Sequence, residues 1–332
     1  MLIKRKELLA VLDHVKPGTG GVVSEGMAYF FFTGESIVSY NNVISISHPF
    51  KTDFETFVKA DSFHKLINRI TIDDINMEVI NGKLRTKAKQ VNSNLATIHD
   101  QDVSDRIDNV TKSLEKVKWR KLPTGFIDGA LLCSFIASTN EAQQTLTCVK
   151  VEDNTISSSD NIRLSHFTMK SKMMPMLLKA NEVKNLAQTN PTHYGKGGSW
   201  LHFKNADGCI FSIRQVKGKF PDFTSFLNFD GEKIELPASI TEGLDITAII
   251  MDSAMPYIKI TLKNGACYIS ATSDEGTIKH RSKIDYAGRD LSFSINPDFL
   301  KEMMKHSAEI TLSDSMARIE SGSFIMITSL AD

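Results

Sequence analysis

Apolar positions along the chain switch between two periods, and the switches mark its elements. Leu8, Leu9, Leu12 and Val15 recur at three- and four-residue spacing, which predicts an amphipathic helix ending before Pro17-Gly18. Phe57-Val58-Lys59-Ala60 reads as a strand that turns directly into a second helix, with Phe63, Leu66, Ile67 and Ile70 on one face. Between the helices, alternating runs such as Leu201 to Phe203, Tyr257 to Leu262 and Ala266 to Ala271 predict half-buried strands. Asn81-Gly82, Asp207-Gly208 and Asn264-Gly265 suit the tight turns that join such strands, because asparagine, aspartate and glycine all tolerate positive φ.

The strand-to-helix unit is written three times. Its second copy is Met176-Leu177-Leu178-Lys179-Ala180-Asn181-Glu182-Val183 followed by Leu186, and its third is Phe293-Ser294-Ile295-Asn296-Pro297-Asp298-Phe299 followed by Met303. Asp61, Asn181 and Pro297 suit the three helix starts. From Phe63 to Val183 to Phe299 the offsets are 120 and 116 residues, the length of a domain rather than of a solenoid repeat. Independent landmarks keep the period. Leu122-Pro123 and Leu236-Pro237 each precede a helical pattern, and the polar turns at 39–42, 158–161 and 272–275 are 119 and 114 residues apart. Each copy is expected to hold two helices packed on mostly antiparallel strands, an α+β domain. The expected domains are 1–112, 113–230 and 231–332, with the charged stretch from Asp100 to Lys121 as the first connector.

Composition narrows the function by exclusion. At 41% hydrophobic and 23% charged residues the chain has ordinary globular proportions. Its 39 basic and 39 acidic residues cancel, so any nucleic-acid contact depends on local charge placement. Cys133, Cys148, Cys209 and Cys267 are scattered without a C-x-x-C pair and read as buried free thiols. No apolar run is long enough to span a bilayer and the first residues lack a signal-peptide core, so a cytoplasmic protein without a membrane partner is expected. The glycine-rich stretches at 17–21 and 195–198 lack the Gly-Lys-Ser/Thr ending of a phosphate loop, and no histidine pair has metal-ligand spacing. No nucleophile elbow appears. The expectation is a non-enzymatic protein with no cofactor and no metal.

Two short segments carry a resemblance. Ser159-Asp160-Asn161-Ile162-Arg163-Leu164 is similar to the Thr-Asp-Gly-His-Arg-Leu turn and strand of the beta subunit of bacterial DNA polymerase III, the sliding clamp family, and Lys219-Phe220-Pro221-Asp222-Phe223 is similar to its Phe-Pro-Asp-Tyr segment. With three tandem domains, the resemblance spans essentially the whole chain. It implies the DNA-clamp (processivity) fold and a head-to-tail homodimer closed into a ring around duplex DNA, bound without regard to sequence. The replicative polymerase and a clamp loader are the implied partners, in a bacterial cell or a phage-infected host. A clamp-fold scaffold serving transcription or another DNA-bound complex is the alternative, and a hydrolase hidden in the groove is a third reading.

The resemblance also assigns residues. A peptide-binding groove would be walled by Asn161, Ile162, Arg163, Leu164, Pro221, Phe226 and the C-terminal Phe324-Ile325-Met326-Ile327. Ile249 and Ile250 match an apolar interface pair, opposed by the strand that carries Leu95 and Ile98. For these apolar residues, ordinary core is the other reading. Equivalent positions on the second helix of the first and third copies place basic pairs, Lys65 with Arg69 and Lys301 with Lys305, one turn apart. Lys184, adjacent to the equivalent position of the middle copy, together with Lys4, Arg5 and Lys16, could add phosphate contacts, solvated helix faces being the alternative. The family's Gly-His is Asn161-Ile162 here, and its C-terminal Met-Pro-Met-Arg-Leu is Met326-Ile327-Thr328-Ser329-Leu330 with two further residues. Such departures suit a clamp of a phage or mobile element that has its own polymerase.

Overall fold

The computed structural model describes residues 1–20, 25–251 and 256–331. Gly21, at the end of the first glycine-rich stretch, and Asp332 lie outside them. The first apolar stripe forms the helix Arg5–Val15, burying Leu8, Val11, Leu12 and Val15. Strand Glu55–Lys59 runs without a break into helix Ala60–Arg69, which buries Ala60, Phe63 and Ile67. In the third copy, strand Leu291–Ile295 leads to helix Pro297–Met304. There the Asn296 side chain accepts from the amides of Asp298 and Phe299 at 2.9 and 3.4 Å, and Pro297 occupies the first turn. A cap followed by proline satisfies otherwise orphaned amides and fixes where the helix begins. The middle copy differs: a 3-10 turn, Ala180–Glu182, precedes a helix of only six residues, Val183–Gln188.

The chain divides into two compact units, Met1–Pro123 with Asn181–Val216, and Thr124–Ala180 with Lys217–Asp332. The middle third of the sequence thus contributes a segment to each. The first unit is organised by a twelve-stranded sheet in which Ile44–Pro49 pairs antiparallel with Ile210–Arg214, joining strands far apart in sequence. Its helix Gln101–Leu114 covers Met27, Tyr29, Tyr40 and Trp200 with Val103, Ile107 and Val110. The stretch read as a charged connector is therefore largely helical. Its apolar residues fall at three- and four-residue spacing within many charges, and Asp100 caps it by accepting from the Val103 amide at 3.0 Å.

The second unit holds a six-stranded and a four-stranded sheet. Helices Ile240–Ala248 and Pro297–Met304 bury Leu244, Leu300 and Met303 in one cluster with Ile260, Leu262, Ile269 and Phe324. Each such side chain contributes about 1.5–3 kcal/mol when removed from water, which makes these apolar faces the main folding force. Helix Phe126–Ser134 packs on the strands Cys148–Ser159 and Arg163–Lys179. A Cβ on Gly129 would lie 2.3 Å from Phe167 Cδ1, so this close approach requires glycine.

The repeated turns fall where the sequence placed them. Asn42 and Asn161 adopt φ of 71° and 74° at hairpin turns 119 residues apart, and Asn81 and Asn264 lead their glycines into left-handed turns. Asparagine reaches this region because its short polar side chain bonds locally. All four cysteines are buried and unpaired, and burial pushes the Cys133 and Cys209 thiols up to about 12. Among the described residues no helix is long and apolar enough to cross a membrane.

Candidate peptide groove and nucleic-acid contacts

Within the second unit, the turn after strand Cys148–Ser159 is held by its own polar side chains. Asp160 Oδ1 accepts from the amides of Ile162 and Arg163 at 3.0 and 2.6 Å, and the Ser159 hydroxyl donates to the Arg163 carbonyl at 2.7 Å. Arg163 is tied back to Asp160 at 2.7 Å and lies over the Phe299 ring at 4.2 Å. Its charge is thereby committed to the scaffold, leaving Ile162, 44% exposed, free at the tip. Strand Arg163–Lys179 then pairs with Phe324–Ser329, Leu164 opposite Ile327, and the Ser329 amide donates to the Ile162 carbonyl at 3.0 Å.

A groove of about 290 Å³ opens over this junction, lined by Asn161, Ile162, Arg163, Leu164, Phe226 and Ile327, together with Ser159, Phe223, Ser315, Met316 and Ser329. Phe223 sits between Phe220 and Phe226 with ring centroids 5.9 and 6.4 Å away. An apolar floor with a few hydroxyl groups at its rim suits leucine and phenylalanine anchors of an extended peptide.

Not every residue expected in the groove lies there. Alternation along Phe324–Ser329 sends Phe324 and Met326 to the opposite face, into the core and a separate cavity of about 460 Å³ beside Phe135, Glu302 and His306. Ile325 is half-buried and Pro221 is exposed, and neither lines the groove among the described residues. Conversely, Met316 joins it because hairpin register sets it opposite Ser329. Phe223 is legible in the sequence, since Phe220, Phe223 and Phe226 recur at three-residue spacing leading into the short helix Thr224–Leu227.

The basic residues fall into two groups. Lys65 and Arg69 are exposed and have no ion-pair partner among the described residues, and Lys184 is exposed as well. Lys301, in contrast, meets Asp245 of the neighbouring helix at 2.7 Å and Asp298 at 3.4 Å, and the Asp245 hydrogen bond raises its pKa. Lys305 pairs with Glu302 at 2.5 Å, Lys16 with Asp61 at 3.5 Å and Lys4 with Asp74 at 2.5 Å. The Arg5 guanidinium donates to the Ile67 carbonyl at 3.4 Å.

The apolar residues expected at an interface differ as sharply. Ile249 is 73% exposed, whereas Ile250 packs against the core of its own unit. Leu95 and Ile98 are half-buried on strand Val91–Ile98. Ile98 and Thr97 pair with Phe57 and Val58, but on that side Val91 to Ala96 have no strand partner among the described residues. Strand Gly276–Lys283 is likewise an edge, paired among the described residues only with Ala266–Ser273.

No family model and no curated protein matches the sequence. Solved structures do match it. The DNA polymerase III subunit beta from Pseudomonas aeruginosa aligns over 100% of this chain and 99% of its own, with a TM-score of 0.82 at 18% identity. The DNA polymerase III beta chain from Streptococcus pneumoniae gives 0.84 at 15% identity over 100% of this chain and 99% of its own. The beta subunit from the DNA polymerase of Streptococcus pyogenes gives 0.83 at 18% identity over 99% of each chain. The chain has the bacterial sliding-clamp fold. The expected fold class, α+β from the repeats and three tandem clamp domains from the resemblance, is the one adopted. Within the clamp fold, the replacement of glycine by Asn161 keeps the turn, because Asn161 holds the left-handed conformation that glycine otherwise supplies.

Proposed function

We propose that the chain is a DNA sliding clamp, a non-enzymatic processivity factor that encircles duplex DNA and tethers a replicative polymerase. The full-length match to bacterial beta subunits carries this reading. In the proposed assembly two copies join head to tail, so that Ile249 of one copy meets the Leu95–Ile98 surface of the next and the strand edges Val91–Ile98 and Gly276–Lys283 pair main chain to main chain. An exposed isoleucine and two unpaired edges are costly features in a lone chain, and burying both in one interface removes both costs. A heterologous interface of this kind ends only by closing a ring.

Inside the ring, Lys65, Arg69 and Lys184 supply phosphate contacts that carry no sequence information and exchange readily along the duplex. Lys4, Arg5, Lys16, Lys301 and Lys305 join them once phosphate displaces their present partners, which makes their contribution smaller. The groove around Ile162, Leu164, Phe226 and Ile327 receives an extended peptide from the polymerase or clamp loader. The proposed domains are 1–112, 113–230 and 231–332, and the setting is the cytoplasm of a bacterial or phage-infected cell.

Loading tests the reading. With a loader, the protein should be retained on nicked circular DNA through a high-salt wash and lost when the circle is linearised. Retention that survives linearisation, or an inability to load from any loader whose peptide binds the groove, would favour a scaffold that has kept the fold without the ring.

A further inference from the structure

The four-stranded sheet of the second unit has two unlike faces. Its strands run in the order Gly276–Lys283, Ala266–Ser273, Ile258–Lys263, Leu291–Ile295. One face buries Ile260, Leu262, Cys267 and Ile269 in the core. Alternation then assigns Lys259, Lys263, Lys279, Arg281 and Lys283 to the other, and all five are exposed. Register brings them together: Lys279 lies opposite Ser270, Arg281 opposite Tyr268 and Lys283 opposite Ala266, while Lys259 and Lys263 oppose Ser270 and Ala266 from the other side. Tyr268 is central, with Lys263 Nζ and Arg281 Cζ at 5.7 and 5.8 Å from its ring centroid. The remaining side chains of this face on these strands include Thr261, Thr272 and Ser292, and no carboxylate stands among them. None of the five cations has an ion-pair partner among the described residues.

In a chain whose formal charges cancel, five unneutralised cations on the two strands that flank Ala266–Ser273 repel one another, and the arrangement is relieved by a bound polyanion. We propose that this face binds single-stranded nucleic acid along its phosphate backbone. Lys279, Arg281 and Lys283 are two residues apart, hence about 7 Å from one to the next, close to the separation of successive phosphates in an extended strand. The hydroxyl groups supply further phosphate donors, and the Tyr268 ring with its flanking cations offers a surface on which a base can stack. An acidic peptide fits less well. Extended peptides gain affinity from main-chain hydrogen bonds to a strand edge, and a sheet face has none to give. The site is independent of the clamp reading, which uses the main-chain edge of Gly276–Lys283 and leaves this face open.

Fluorescence anisotropy of labelled oligo-dT with the full-length protein, followed across a salt series, tests the proposal. The parent should bind with an affinity that falls as salt rises. The variant K279T/R281T/K283T should bind at least tenfold more weakly at low salt, with its salt slope reduced by about 2, from three phosphates at roughly 0.7 each. K259T/K263T, on a different strand, should lose about 1.4 of the slope by the same rule, and serves if the triple variant does not fold. Threonine keeps the strand propensity, and light scattering should show an unchanged oligomeric state. Three results would overturn the proposal: an equal loss in K116T/K118T, which would make net charge the cause; tighter binding of a duplex of the same length through these residues; or binding of poly-glutamate in place of oligo-dT with the same dependence on the five cations.

Discussion

Ile249→Ala is the sharpest perturbation of the proposed ring. The residue is 73% exposed, and the substitution removes three carbons worth about 0.8 kcal/mol each when buried, so roughly 1.8 kcal/mol is lost per interface. A closed head-to-tail dimer contains that interface twice. The combined loss of about 3.5 kcal/mol corresponds to a dimer dissociation constant raised ~400-fold. Ile250 supplies the internal comparison, because it packs against its own unit's core. Its truncation to alanine should lower the unfolding temperature more than it weakens association, while I249A should leave that temperature nearly unchanged at concentrations where both proteins are monomeric. Sedimentation velocity over a dilution series measures the constants, with circular dichroism for stability. A dissociation constant for I249A within threefold of the parent, or a larger association defect for I250A, would refute the placement of Ile249 in the interface.

Three further outcomes follow from the structure. Phe226→Ala removes an aromatic wall from the groove and should weaken a peptide with leucine and phenylalanine anchors by about 10- to 100-fold by calorimetry, equivalent to the ~1.5–3 kcal/mol of a buried aromatic contact, with the unfolding temperature little changed. His202 is buried between the hydroxyls of Ser212 and Ser113 at 2.8 and 3.1 Å, and burial lowers its pKa from 6.5 to about 4. The native state therefore binds fewer protons than the unfolded one between those values, so stability is intact above pH 6.5 and falls as pH drops toward 4. The loss is roughly 3 kcal/mol, and denaturant titrations should show it in the parent and much less of it in H202Q. Gly129→Ala would set a Cβ 2.3 Å from Phe167 Cδ1 and should destabilise the protein by about 1–3 kcal/mol through overpacking.

Local pattern alone located most of the architecture. The strand-to-helix units at Phe63, Val183 and Phe299 and the polar turns at 158–161 and 272–275 were legible because period, caps and turn residues act over a few neighbours. The helix Gln101–Leu114 was harder to see, since its buried stripe is three residues wide and surrounded by charge. Tertiary structure decided what depends on pairing between distant segments. It joined Ile44–Pro49 to Ile210–Arg214, set Leu164 opposite Ile327, and brought Met316 into the groove while turning Phe324 and Met326 away from it. A one-residue change of register would turn each of these side chains to the other face, and between strands far apart in sequence no shared turn fixes the register. Charge divided in the same way. The sequence by itself determined which helices carry Lys65, Arg69, Lys301 and Lys305, but only the packing of one helix against another gave Lys301 to Asp245 and left Lys65 and Arg69 without a partner among the described residues, because an ion pair forms across space and not along the chain.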